Sequence, residues 1–164
     1  MKKILLSLLF LLIAQSAWSA GSCTQTATRM PDGFYSVKFI CTGDSSNGSI
    51  PNTAISNASM GVISGSHWLY TVSAYPTSGG TAPDAADVFI LDANGEDLLG
   101  SVDGGTTAKK GLNLIHATLK NSTFPFSNFM QRYYFPPVTG VLTLKVLNQA
   151  TPSPNYTVEL VFGR

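Results

Sequence analysis

"TQTATRMPDGFYSVKFI", Thr24 to Ile40, is bounded by Cys23 and Cys41 and turns at its middle. Pro31-Asp32-Gly33 has the chemistry of a three-residue hairpin loop. Proline presets φ for the first turn position, and glycine takes a left-handed bulge position without a Cβ penalty. Closing this loop pairs Met30 with Phe34, and counting outward along both arms sets Cys23 opposite Cys41. Turn and cysteines therefore specify one register, and the stretch predicts an antiparallel hairpin stapled by a cross-strand disulfide. In the chain-entropy model a closure of this size contributes about 3 kcal/mol. Two buried free thiols are the alternative reading.

A disulfide needs an oxidising compartment, and the N-terminus supplies a route to one. "MKKILLSLLFLLIAQSAWSA" carries Lys2 and Lys3, an apolar run from Ile4 to Ala14, then small residues, the three-part pattern of a secretory signal. The apolar run is too short for a stable membrane span. The small pair Ala17 and Ser19 predicts cleavage before Ala20, giving a signal over 1–19 and one domain over 20–164. Lipoprotein processing at Cys23 is the rival, although Ala20-Gly21-Ser22 lacks the usual large aliphatic residue.

Loss of residues 1–19 removes two lysines and leaves eight basic against nine acidic residues. A near-neutral chain has no electrostatic footprint for nucleic acid. Charged residues are 12% of the sequence, about half the usual share. Such a surface makes weak long-range fields and suits packing against another surface.

Working outward, short runs rich in Val, Ile, Tyr, Phe and Thr recur between Gly, Pro, Asn and Ser, the strand-and-turn pattern. Strands are expected at Thr24–Met30, Phe34–Thr42, Trp68–Tyr75, Asp87–Leu91, Asp97–Val102, Val141–Leu147 and Tyr156–Phe162, with a further short one within Ala54–Val62. Ala108–Lys120 reads as at most a turn of helix, weakened by Gly111. In "NYTVELVFG", Tyr156, Val158, Leu160 and Phe162 alternate with Thr157, Glu159 and Val161; in "VLTLKVLN", Leu142, Leu144 and Val146 share one face. One apolar and one mixed face is the signature of antiparallel sheets packed in layers. The expected fold is all-β, a single antiparallel β-sandwich of jelly-roll or Ig-like type.

"DVFILDANGEDLLG", Asp87 to Gly100, invites comparison with a calcium loop. An EF-hand numbered from Asp92 would place Asn94 and Glu96 correctly, but Asp97 replaces the required glycine, Asp103 replaces the closing glutamate, and the flanks read as strands. Ala93-Asn94-Gly95 instead makes another three-residue hairpin, pairing Asp92 with Glu96, Ile90 with Leu98 and Phe89 with Leu99. A loose cation site on Asp92, Asn94 and Glu96 is the weak alternative.

Other chemistry is sparse. His67 and His116 have no partners at metal-ligand spacing, and His67 is expected at the surface or rim. No nucleophile elbow, P-loop or dinucleotide glycine pattern occurs; "GVISGS" (Gly61–Ser66) has the wrong spacing. No catalytic residue and no cofactor is expected. "FPFSNFMQRYYFPP" is the informative stretch, with six aromatic residues in fourteen: Phe124, Phe126, Phe129, Tyr133, Tyr134 and Phe135. Together with the preceding 104–124 it reads as a long loop, which in a small domain is usually functional or disordered. Either its rings fold over an open end of the sandwich, or with Arg132 they form an interface for a neighbouring subunit or a sugar.

From Cys41 onward the layout resembles small structural, virion-associated β-proteins of tailed bacteriophages and prophages. The resemblance is carried by Gly80-Thr81-Ala82-Pro83, the strand Asp87–Leu91, the turn Asp92–Asp97, Leu99-Gly100 and two C-terminal strands joined by a small polar loop. It implies a head or tail accessory component that packs on its own copies or on other virion proteins, with no catalytic residues to carry over. The export signal and the cysteine pair are departures from that layout. The expectation is an exported, non-catalytic interaction protein, periplasmic, extracellular or virion-borne; the alternative is a bacterial secreted binding module for carbohydrate or surface adhesion.

Overall fold

The computed structural model describes residues 20–99 and 135–164, together with the backbone of six short strands between them. The expected signal, residues 1–19, lies outside the described residues. In chain order the elements are β1 (Ser22–Arg29), β2 (Tyr35–Thr42), β3 (Thr53–Ala54), α1 (Asn57–Ile63), β4 (Trp68–Pro76) and β5 (Ala86–Leu91). Next come β6 (Val102–Asp103), β7 (Lys109–Lys110), β8 (Leu112–Ile115), β9 (Asn121–Thr123), β10 (Phe126–Ser127) and β11 (Arg132–Tyr133), and finally β12 (Thr143–Leu147) and β13 (Asn155–Gly163). Two antiparallel sheets carry the fold, in the orders β1-β2-β13-β4-β9 and β3-β12-β5-β8. The chain is an all-β, sandwich-like single domain.

The first hairpin has the register that its turn residues dictate. Met30 N–H donates to the Phe34 carbonyl at 2.9 Å, and the ladder runs outward to Cys23 opposite Cys41. The two sulfurs are bonded. At the tip both Asp32 and Gly33 take positive φ, 60° and 81°; aspartate tolerates this left-handed region better than most side chains.

The core is built from rows that cross the larger sheet. Phe39, Val158 and Ala74 form one row; Val37, Leu160 and Val72 form the next. All six are buried. The smaller sheet answers with Leu144 opposite Ile90 and Val146 opposite Val88, and both sets belong to one hydrophobic cluster. The alternation read in β12 and β13 therefore points its apolar positions inward. Gln25 helps close the sandwich edge: its side-chain amide donates to the Ala54 carbonyl and accepts from Ser56 N–H.

Four expectations are corrected. Asp97–Val102 is not one continuous strand: Asp97 makes a single bridge, Leu98 and Leu99 lie in a turn, and Val102 begins β6. After a single bridge from Leu91 to Asp97 the chain turns, because the Asp97 carboxylate accepts from Ile90 N–H at 2.9 Å and Leu99 N–H at 3.2 Å. Such a side-chain cap competes with the ladder, and the expected Phe89–Leu99 pairing is not made. Within Ala54–Val62 the strand is only β3; the rest is α1, whose Ser56 hydroxyl accepts from Ser59 N–H. The described residues within 108–120 form strands rather than a turn of helix, and 104–124 is no featureless loop. It supplies β7, then β8, which pairs with β5, then β9, which pairs with β4. One segment thus adds an edge strand to each sheet. Finally, His67 is buried rather than on the rim, at 4% exposure.

Candidate functional site

The site lies where β2 begins, β4 begins and β13 ends. Two local features aim its side chains. A bulge in the β4–β13 ladder pairs Thr71 with Val161 and Leu69 with Phe162, leaving Tyr70 over. Leu69 thereby points into the core while Trp68 and Tyr70 stay on the outer side; redirecting side chains is a standard consequence of a bulge. The second feature is an added edge. Leu69 N–H donates to the Pro136 carbonyl and Val138 N–H to the His67 carbonyl, both at 3.0 Å. This clip brings Phe135 beside Tyr70.

The rings form a continuous wall. Tyr70 and Phe135 stack at 5.0 Å between centroids, 16° from parallel, and Phe34 meets Tyr70 edge-on at 5.6 Å. Trp68, Tyr70 and Phe135 remain 47%, 39% and 44% exposed. With Gly163 and Arg164 they line a groove of about 470 Å³. Gly163 permits the arrangement, since a Cβ there would approach Phe34 Cε1 to 3.0 Å. A smaller cavity of about 180 Å³ adjoins it, sharing Phe34 and Arg164 and adding Arg29, Val62 and His67.

His67 is the one histidine placed here. Its ring lies edge-on to Tyr35 at 6.5 Å, and Nδ1 is 2.8 Å from the Ser66 hydroxyl. Burial holds its imidazole below the ordinary range, helped by the positive fields of Arg164 and Arg29 and opposed by the Gly33 and Ile63 backbone. The Ser66 hydroxyl also donates to the Val62 carbonyl at 3.0 Å, and no described acidic group orients the imidazole in the manner of a triad.

Of the expected interface residues, only Phe135 is described with its side chain, and it joins the groove. Phe126 and Tyr133 are register partners in the β10–β11 ribbon, next to the register pair Ser127 and Arg132. Phe124, Phe129 and Tyr134 lie outside the described residues, as does His116. Asp92, Asn94 and Glu96 come together at one hairpin turn, where Asp92 Oδ1 accepts from Asn94 N–H at 2.8 Å and Glu96 N–H at 2.9 Å. Among the described residues, no three His, Cys, Asp or Glu side chains gather as metal ligands do. Phe34, Trp68, Tyr70 and Arg164 were not expected at the site. The signal for two of them was present: Trp68 and Tyr70, two apart in "WLYTVSAY", are aromatic on the face opposite the core residue Leu69.

Compared with models of known protein families and with curated proteins, the chain matches none. Among the described residues no helix is long and apolar enough to cross a membrane.

Proposed function

We propose that the chain is an exported, non-catalytic binding module whose contact site is the aromatic groove, and that the groove takes a carbohydrate. The observation that carries this is the exposed wall of Trp68, Tyr70 and Phe135 around a concavity of about 470 Å³, within the size range of small-molecule sites. Large rings left half in water on a folded domain mark a surface awaiting a partner. Flat aromatic faces suit the C–H face of a pyranose, because they offer apolar area at low entropic cost. The experiment is binding of the processed chain to a broad glycan panel. Trp68→Ala abolishes the signal while leaving the melting temperature in place; no glycan bound by the parent chain would sink the reading.

The Cys23–Cys41 bridge supports export. With the Cys23 sulfur bonded to Cys41, no thiol is left to carry a lipid, which favours cleavage before Ala20 over lipoprotein processing. The mass of the intact processed chain checks both points.

A second reading keeps the groove and changes its occupant to a neighbouring subunit, as in the virion-associated proteins that the sequence resembles. Exposed Val62, which lines the adjoining cavity, extends the apolar surface in the way a protein contact would. It predicts co-purification with particles, and absence of the chain from purified virions by mass spectrometry counts against it.

A further inference from the structure

The groove and the cavity beside it share a positive electrostatic character. Arg164 lines both and Arg29 lines the smaller. No described lining residue is acidic, and Asp32 at the nearby hairpin tip lines neither. Both arginines are exposed. Among the described residues the ion pair is Lys38 with Glu159, 3.6 Å apart, and neither arginine shares one. The Arg164 side chain lies across the hairpin tip, with Cδ 3.8 Å from where a Gly33 Cβ would stand. The fields of both cations converge on His67. In a processed chain with eight basic and nine acidic residues, two guanidinium groups with no described acidic partner, one at the aromatic wall and one in the adjoining cavity, are a local excess.

We infer that the ligand of this groove is an acidic saccharide, its ring lying on Trp68 and the Tyr70–Phe135 pair and its anionic group held by Arg164 with Arg29 behind. The inference rests on the carbohydrate reading above. It adds the class of sugar. A guanidinium presents a planar fork of donors that matches an oxyanion two bonds at a time. An anion placed here meets two guanidinium groups and no described acidic side chain, so selectivity arises by charge complementarity. A uronate carboxylate and a sugar sulfate share this chemistry.

Calorimetric titration of the processed chain with three hexasaccharides tests it: oligogalacturonate, a sulfated galactan and neutral cellohexaose. At least one acidic ligand binds about tenfold or more tighter than cellohexaose at low salt, the effect of a charge-assisted contact. The advantage shrinks when sodium chloride is raised from about 50 to about 500 mM. R164Q brings the ratio of acidic to neutral affinity close to one, R164K restores part of it, and R29Q lowers it less. Preference for the uronate assigns a carboxylate and preference for the galactan assigns a sulfate. Cellohexaose binding as tightly as both acidic ligands overturns the inference and leaves the carbohydrate reading in place. So does a parent ratio that R164Q leaves unchanged. Failure of all three to bind overturns the inference, and the broad glycan panel then decides the carbohydrate reading separately.

Discussion

The two ends of the larger sheet are built for different tasks. At the end where β13 starts, backbone meets backbone. Gly43 N–H donates to the Pro154 carbonyl, Ser153 N–H to the Asp44 carbonyl, and Asn155 N–H to the Thr81 carbonyl, all within 2.9 Å. The Asp44 carboxylate accepts from the Ser46 hydroxyl and from the N–H groups of Ser46 and Asn47. Gly43 and Gly48 lie where a Cβ would drive into main chain. At the other end, where β13 finishes, rings and guanidinium groups stand in water around a groove. One end spends its sequence on closing the chain upon itself, and the other leaves good contact surface unused. That contrast, more than any single motif, is why the binding site is proposed at the second end.

The contrast can be broken at the closed end with the largest effect. Gly43→Ala puts a Cβ 2.5 Å from Pro154 Cδ and inside the radius of the Gly48 carbonyl oxygen; an expected loss of about 4 kcal/mol by urea unfolding reflects overpacking against backbone. Replacing both Cys23 and Cys41 by Ser costs about 3 kcal/mol by the same measurement, through the freed unfolded chain. Tyr156→Phe goes the other way. Among the described residues the fully buried Tyr156 hydroxyl has no hydrogen-bond partner, and burial pushes its ionisation well above the usual tyrosine range. Removing it is expected to gain about 1 kcal/mol.

The two ends also differ in their response to acid. His67 is held below its ordinary value of 6.5, chiefly by burial. Its contribution to stability is therefore complete above that pH and lost as pH falls below it toward the folded value. Asp44 is held below 3.8, first by the Ser46 hydroxyl, so its contribution is complete above 3.8 and lost only as pH falls through its lower folded value. Unfolding measured across pH separates the two: His67→Phe flattens the slope just below neutrality, and Asp44→Asn flattens the acid limb. The smallest expected effect on stability is at the groove, where Trp68→Ala and R164Q stay within about 0.5 kcal/mol of the parent chain while removing binding.

The legible parts of the fold were those where turn chemistry and alternation agreed. Pro31-Asp32-Gly33 and the cysteine spacing fix one register, and "NYTVELVFG" can only bury Tyr156, Val158, Leu160 and Phe162 together. Around Asp92 the same logic gave the Asp92–Glu96 and Ile90–Leu98 pairings. It failed one residue later because the Asp97 side chain took the place of a ladder partner. Helix α1 was missed because seven residues are too few for periodicity to separate helix from strand; the Ser56 cap was the better clue. The strands β7 to β9 are two to four residues long, β7 and β9 wholly polar, and β8 and β9 pair where neighbouring strands offer edges, a tertiary effect no local pattern carries. The candidate site was half legible. Phe135 was singled out, whereas its partners Phe34, Trp68, Tyr70 and Arg164 come from three distant segments that only the bulge and the Pro136–Val138 clip bring together.

The processed chain contains one tryptophan, Trp68, so its emission reports on the groove alone. The decisive measurement is iodide quenching of that emission with and without saturating acidic hexasaccharide. Ready quenching in the free chain, and protection with a shifted emission maximum once ligand is bound, is the predicted result. Binding detected by calorimetry with Trp68 still fully quenched would place the ligand elsewhere and contradict the account.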